Sequence, residues 1–271
     1  MKKFAVIGQP IKHSLSPRIH SEFAKELGID ISYDAIEIAP KDFNSTTKQL
    51  LENGYDGLNV TLPLKELAYR LADEVSETGR ETGAVNTLWK EKGKILADST
   101  DGKGLLEDLL NNQISLKDSN LVILGAGGAA LSILPSILSL HPQKVTILNR
   151  TLEKSCALVD KFKDRGVQLQ AIPMKEAPEG SLTGVINTTS AEVTGEDLIL
   201  NVSIFKKADW SYDLSYSKET TSFNQLAKDS GIEVCFDGLG MLVSQAAFSF
   251  KIWTGKQPPT NRVLSLIKSF L

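Results

Sequence analysis

The chain has 271 residues, a formal net charge of −3 and 23% charged residues, long enough for two modest domains that each bury a core. Its lysines and arginines are scattered among acids, which excludes a basic face able to track nucleic acid, and its longest apolar runs are interrupted well short of a membrane span. Two cysteines far apart, Cys156 and Cys235, predict a reduced cytoplasmic protein, and neither they nor His13, His20 and His141 have metal-ligand spacing.

The start, Met1-Lys2-Lys3, is charged, but the apolar run behind it is too short for a signal peptide and stops at Gly8-Gln9-Pro10. Residues 4–7 therefore read as a first strand. Pro17 suits the first turn of a helix to about Leu27, with Ser16 as its cap. That leaves Ser14 unexplained, and two hydroxyls two residues apart beside a helix N-terminus can also bind a small carboxylate. Residues 31–38 read as a strand, 40–53 as a helix leaving at Asn53-Gly54, and Leu58-Asn59-Val60-Thr61 as a third strand. This alternation predicts an α/β layer of mostly parallel strands, whose ligands gather beyond the strand C-termini, where Thr61 and Lys65 fall. Pro63 starts the next helix and puts Lys65 in its first turn, where a cation gains nothing from the helix dipole. Lys65 is thus either an ordinary exposed side chain or a proton donor and acceptor.

Residues 81–90 lead into a strand, with 95–98 as its antiparallel partner across 91–94. Asn86 lies in this β-like run, where Asn is disfavoured, and needs a partner in the neighbouring backbone or in a ligand. Asp101 either caps the following helix, to about Asn111, or forms an ion pair with Lys65.

Residues 121–124 are four consecutive apolar positions, as in a strand covered on both faces, and run into Gly125-Ala126-Gly127-Gly128-Ala129-Ala130. The G-x-G-x-x-A turn and the unpartnered amides opening helix 128–140 suit a pyrophosphate, although glycine-rich turns also occur without nucleotides. Pro135 should kink that helix or remove one of its hydrogen bonds. The next strand, 144–148, ends at Asn149-Arg150-Thr151, where an NAD site usually holds a carboxylate. Arg150 offers instead a fork for a 2′-phosphate, which favours NADP; alternatively Thr151 caps helix 152–163 and Arg150 is a solvated charge, and both readings can hold together. Strands at 167–171, 183–187, 208–214 and 233–236, with a helix at 220–230, complete a nucleotide-type sheet of about six strands. Gly238-Leu239-Gly240-Met241 opens a helix to Thr254 with Leu242, Ala246, Ser249 and Trp253 on its core face, and Gln245 beside them needs a polar partner if buried. Pro258-Pro259 breaks it before a last helix, 261–271.

Taken in order, several motifs resemble those of the shikimate dehydrogenases nearly end to end: Gly8-Gln9-Pro10-Ile11, His13-Ser14-Leu15-Ser16-Pro17, Asn59-Val60-Thr61-Leu62-Pro63-Leu64-Lys65, Gly83-Ala84-Val85-Asn86-Thr87, Thr100-Asp101-Gly102, the glycine turn, Asn149-Arg150-Thr151 and Asp237-Gly238-Leu239-Gly240-Met241-Leu242-Val243-Ser244-Gln245. The resemblance implies an α/β fold of two domains. A mixed α/β substrate domain, residues 1–103 completed by the C-terminal helices of 239–271, would accompany a Rossmann-like doubly wound nucleotide domain, 104–238, with a cleft where NADPH meets 3-dehydroshikimate.

The resemblance also implies roles. Ser14 and Ser16 would hold the substrate carboxylate, Thr61, Asn86, Tyr216 and Gln245 its ring oxygens, and Lys65 with Asp101 would transfer the proton. NADP would lie on Gly125, Ala126, Gly127, Gly128 and Ala129, on Asn149, Arg150, Thr151 and Lys154, and on Thr188, Leu214 and Gly238; no metal is implied. The expected activity is reversible reduction of 3-dehydroshikimate to shikimate in aromatic amino-acid biosynthesis, by a cytoplasmic monomer or homodimer without nucleic-acid or membrane partners. Its alternatives are an NAD-dependent quinate/shikimate dehydrogenase, which Asn149-Arg150-Thr151 speaks against, and a shikimate-sensing regulator without turnover, which Lys65 and Asp101 speak against. Folate dehydrogenases share the two-domain plan, but Ser14 and Ser16 do not point to a pterin. The chain departs from the family at Ser99, where Asn is usual, at Ala191-Glu192-Val193, where glycine is frequent, and at Ser217-Lys218, where Asn-Pro often follows the tyrosine.

Overall fold

The computed structural model describes residues 1–195 and 198–271, with the backbone alone for Val193 and Thr194. The chain runs through β1 (Lys2–Gly8), α1 (Ser16–Leu27), β2 (Ile31–Glu37), α2 (Phe43–Glu52), β3 (Gly57–Val60), α3 (Lys65–Leu71), β4 (Glu74–Val75), α4 (Glu77–Thr82), β5 (Thr87–Glu91), β6 (Lys94–Asp98) and α5 (Asp101–Asn111). It continues through β7 (Asn120–Leu124), α6 (Gly128–Leu138), β8 (Lys144–Asn149), α7 (Leu152–Phe162), β9 (Gln168–Pro173), β10 (Gly184–Asn187), α8 (Ala191–Thr194), β11 (Trp210–Asp213), α9 (Ser222–Asp229), β12 (Val234–Phe236), α10 (Leu239–Thr254) and α11 (Thr260–Lys268). Two compact units result, Met1–Leu105 with Leu242–Phe270, and Leu106–Met241 with Leu271.

The first unit carries a sheet in the order β2-β1-β3-β5-β6-β4. Its strands are parallel across β2, β1 and β3, as the alternating pattern predicts, then antiparallel at β3/β5 and β5/β6. The reversal is local chemistry: Lys92 and Gly93 both take positive φ, 51° and 82°, which matches the twist of a two-residue hairpin turn. Two elements carry no sequence signal. β4 is too short for a periodicity, and α4 is held by its ends, Ser76 Oγ accepting from the Gly79 N–H at 3.1 Å and Gly83 taking φ 68°.

One face of this sheet packs Ala5, Ile7, Leu58, Val60 and Leu88 against Phe43, Leu64 and Ala68. α10 also packs in this unit: Trp253 stacks on Phe4 with ring centroids 4.6 Å apart, and a Cβ on Gly57 would meet the indole at 2.3 Å. Ala246, Ser249 and Trp253 are buried as expected, but Leu242 is only half-buried, whereas Val243, Ala247 and Phe250 are fully covered. The expected single core stripe is thus corrected to burial over most of the helix circumference, in keeping with its nearly all-apolar sequence.

The second unit is a six-stranded sheet in the order β12-β11-β10-β7-β8-β9, parallel throughout. Counted from β7 within this unit, the order is 3-2-1-4-5-6, a doubly wound sheet that switches direction between β7 and β10, where such folds bind dinucleotides. Its core includes Val122, Leu124, Leu148, Val185, Phe205 and Phe223. Pro135 lies inside α6 and contributes no N–H to it.

Candidate active site

In the first unit, the turn after β3 is closed by the Leu64 N–H on the Thr61 carbonyl at 2.9 Å, and α3 begins at Lys65 itself. α5 begins at Asp101, whose side chain pairs with Lys65 instead of capping the helix: Nζ to Oδ2 is 2.6 Å, with side-chain exposures of 20% and 8%. The second carboxylate oxygen, Oδ1, accepts from Asn86 Nδ2 at 2.9 Å. Asp101 is therefore a buried carboxylate with both oxygens in hydrogen bonds, one charge-assisted by an ammonium, which is the condition under which burying it is tolerable.

Asn86 is buried just before β5, and its amide can face only one way. Oδ1 accepts from the Thr100 N–H at 2.9 Å, so Nδ2 must turn toward Asp101 Oδ1, Thr100 Oγ1 at 2.8 Å and Gln245 Oε1 at 3.0 Å. Gln245 is held in turn by Nε2 on the Leu242 carbonyl at 2.9 Å. The partners that Asn86 and Gln245 need are thus largely one another. α10 can lie this close to α5 because Gly104 faces it: a Cβ there would sit 2.6 Å from Gln245 Cβ and 2.7 Å from its backbone N.

Ser14, Ser16 and Thr61 lie outside this hydrogen-bonded group. Thr61 is half-exposed at the end of β3, where Gly8 gives it room, a Cβ on Gly8 meeting Thr61 Cγ2 at 2.4 Å. The expected cap of α1 is corrected: Ser16 is the first helical residue, and Ser14 Oγ accepts its N–H at 3.3 Å, because the chain turns one residue earlier than Pro17 suggests. Ser16 itself is buried. Behind it His20 is completely buried, stacked on Tyr33 at 4.3 Å, and burial pushes its imidazole down to about 3, so the ring is neutral. Tyr216 belongs to the second unit, half-buried beyond β11, where burial pushes its phenol up.

Five polar side chains of this network, Tyr33, Asn59, Thr87, Thr100 and Ser249, were not singled out as site residues by sequence. The available signal is a polar residue interrupting an apolar run, as in Leu58-Asn59-Val60 and Phe248-Ser249-Phe250. The Ser99 departure has a structural counterpart: its hydroxyl is fully buried without a hydrogen-bond partner, between the bonded Asp98 and Thr100.

In the second unit, Gly125 has φ +100°, and a Cβ there would meet Thr188 Oγ1 at 2.6 Å. Thr188 spans the switch point by donating to the Leu124 carbonyl at 2.7 Å. Asn149 Oδ1 accepts the Ala126 N–H at 3.2 Å while its Nδ2 donates to the Thr151 carbonyl at 2.8 Å, so this side chain shapes the glycine turn. Cβ atoms on Gly127 and Gly128 would meet nothing within 4 Å, leaving the amides at the start of α6 open to an anion. Arg150 and Thr151 are exposed just beyond β8 and Lys154 in the first turn of α7, and Thr151 makes no side-chain cap on α7, so the expected cap is not formed. An open glycine cradle with two cations between the end of the neighbouring strand and the first turn of its helix fits a dinucleotide with an additional phosphate. Gly238 lets two main chains touch, since a Cβ there would lie 2.0 Å from the Leu214 carbonyl oxygen. At Ala191-Glu192-Val193, the departure noted after β10, the backbone forms α8, and Glu192 Oε2 accepts the Ser222 N–H at 3.0 Å. Among the described residues no cluster of His, Cys, Asp and Glu could hold a metal ion, and no helix is long and apolar enough to cross a membrane.

Comparison with known proteins matches residues 6–88 to the shikimate dehydrogenase substrate binding domain, 107–193 to shikimate / quinate 5-dehydrogenase and 238–268 to the shikimate 5'-dehydrogenase C-terminal domain. The shikimate dehydrogenase (NADP(+)) of Vibrio atlanticus is 39% identical over 270 residues, covering 99% of this chain and 97% of that protein. Among solved structures, an Ael1 enzyme from Pseudomonas putida superposes with a TM-score of 0.89 at 35% identity, covering 98% of each chain. The Thermus thermophilus shikimate 5-dehydrogenase in complex with NADP(H) and shikimate gives 0.88 at 32% identity, covering all of both chains.

Proposed function

The chain belongs to the shikimate dehydrogenase family, and on that premise we infer that Lys65 and Asp101 are the proton-transfer pair of its reaction. That reaction is the reversible, NADP-dependent reduction of 3-dehydroshikimate to shikimate, an oxidoreductase step of the shikimate pathway. The observation that carries the role of the pair is the 2.6 Å contact of a largely buried ammonium with a carboxylate whose other oxygen is already taken by Asn86.

NADPH, when bound, supplies hydride to the ring ketone. The ketone oxygen gains negative charge as this occurs and must be stabilised and protonated. Lys65 can do both: one N–H is committed to Asp101, which fixes Nζ, and two remain for the substrate oxygen. Asn86 and Gln245, already aligned on Asp101 and on each other, offer polar atoms to the ring hydroxyls, with Thr61 and Tyr216 completing that set. Ser14 and Ser16, at the positive end of α1, hold the carboxylate. Residues 1–103 and 239–271 form the substrate domain, and 104–238 the NADP domain. There Gly125, Ala126, Gly127, Gly128 and Ala129 receive the pyrophosphate, Asn149, Arg150, Thr151 and Lys154 the 2′-phosphate end, and Thr188, Leu214 and Gly238 the nicotinamide side. Every role is filled from one chain, which is compatible with a monomer or a homodimer, and two free thiols suit a reducing cytoplasm.

Purified protein given shikimate and NADP is expected to form reduced nicotinamide steadily, and to form little with NAD. Turnover of quinate with NAD would replace this reading by a catabolic one, and saturable shikimate binding without turnover would make the protein a sensor. For the cofactor end, Arg150→Ala is expected to raise KM for NADPH at least tenfold while leaving KM for NADH nearly unchanged, because only the former presents a 2′-phosphate to the guanidinium. Equal losses for both cofactors would remove Arg150 from phosphate recognition.

A further inference from the structure

We propose that Thr87 and Ser249 are positioning residues in a one-way chain of hydrogen bonds that begins at Tyr33, ends on the Asp101 carboxylate and fixes the acceptor against which Lys65 is held. The proposal rests on the roles given above to Lys65 and Asp101. All of its members lie in the first unit.

The donors and acceptors fall in sequence. The Tyr33 hydroxyl donates to Asn59 Oδ1 at 2.7 Å, and Asn59 Nδ2 donates to Ser249 Oγ at 3.0 Å. Ser249 and Thr87 hydroxyls are 2.7 Å apart, a contact that either can donate. Thr87 Oγ1 lies 3.0 Å from Asn86 Oδ1, and Asn86 Nδ2 lies 2.9 Å from Asp101 Oδ1. Asn86 Oδ1 can only accept, so where Thr87 gives its single hydrogen to that oxygen, the Thr87–Ser249 bond is donated by Ser249. Every bond then points toward the carboxylate. Aligned hydrogen bonds polarise one another, so each dipole adds to the stabilisation of the anion at the end of the row.

The setting is rigid. Thr87 and Ser249 are fully buried, Asn59 and Asn86 nearly so, and Asn59 faces Thr87 across the β3/β5 pair. Polar groups in such surroundings are costly unless bonded, and these are bonded in one continuous row from strand to helix to strand. A purely structural cluster would be indifferent to the direction of the row and to its ending on an ionised group. In the reverse sense, with Thr87 donating to Ser249 and Ser249 to the Gln245 carbonyl at 3.2 Å, the row would not reach Asp101.

The test compares Thr87→Val, which keeps the shape and removes the hydroxyl, with Thr87→Ser, which keeps the hydroxyl. Each is assayed as the full-length enzyme with shikimate and NADP beside a thermal melt. Thr87→Val is expected to lower kcat about tenfold with KM for shikimate within about twofold, and Thr87→Ser to recover most of that loss. Ser249→Ala should lower kcat in the same direction and add little to Thr87→Val, because both break one row. Wild-type kcat in Thr87→Val, equal loss in the valine and serine variants, or a loss confined to KM would each overturn the proposal. Those outcomes leave the assignment of Lys65 untouched as long as the wild-type enzyme turns over shikimate; absence of wild-type turnover would refute that assignment first.

Discussion

Replacing Lys65 with alanine is expected to lower kcat for shikimate oxidation by roughly 10³-fold while shikimate affinity stays within about threefold. The ammonium is the only cation bonded to Asp101 among the described residues, and in the proposed reaction it serves the ring oxygen that acquires charge. Its loss removes both the proton and the electrostatic stabilisation, which are needed in the transition state more than in the ground state. Affinity is preserved because the carboxylate and ring-hydroxyl contacts assigned to Ser14, Ser16, Thr61 and Gln245 do not involve Nζ. Steady-state kinetics with shikimate and NADP, beside shikimate titration by calorimetry, separates the two effects. Near-normal turnover would remove Lys65 from the chemistry. A variant that no longer binds shikimate would make it a binding residue.

The second large effect is expected at Gly104. Alanine is the better helix former by about 1 kcal/mol, so local propensity alone predicts that Gly104→Ala stabilises α5. Packing predicts the reverse, because the new Cβ would sit 2.6 Å from Gln245 Cβ, 2.7 Å from its N and 2.9 Å from its Cα. Two of those three atoms are backbone of a buried helix and cannot rotate away. Overpacking of this kind costs about 1–3 kcal/mol and sometimes more, which outweighs the propensity gain. The backbone shift that relieves it also moves Gln245 from Asn86, now 3.0 Å away, so turnover should fall together with the melting temperature. A melting temperature at or above that of the unaltered protein would show that α5 and α10 do not need glycine at this crossing.

Much of the architecture was legible because it depends on local periodicity. The apolar run of β7, the glycine turn and the six strands of the second sheet are each stretches whose pattern is tied to their own backbone period, and the hairpin β5/β6 is announced by Lys92-Gly93 between alternating residues. α4 and β4 were not legible: the strand is too short to show a period, and the helix depends on a serine cap and a left-handed glycine. The cap of α1 was misread by one residue: its cap position is Leu15, which makes no side-chain cap, because Pro17 is accommodated at the second helical position as readily as at the first.

What the sequence by itself determined is therefore the order and type of the main elements, the glycine turn after β7, the choice of Arg150 over a carboxylate at the end of β8, and the residue types able to move a proton. Each is a property of a few neighbouring residues. Tertiary structure alone decided which of the chemically able residues meet. Lys65 and Asp101 are separated by two helices, one strand and a hairpin, yet their side chains lie 2.6 Å apart. It also decided that Asn86 and Gln245 satisfy one another and that Thr87, Ser249, Asn59 and Tyr33 line up behind them. The physical reason is that a hydrogen bond between distant residues depends on backbone positions set by core packing over the whole unit, while the residue type at each end states only that a bond is needed.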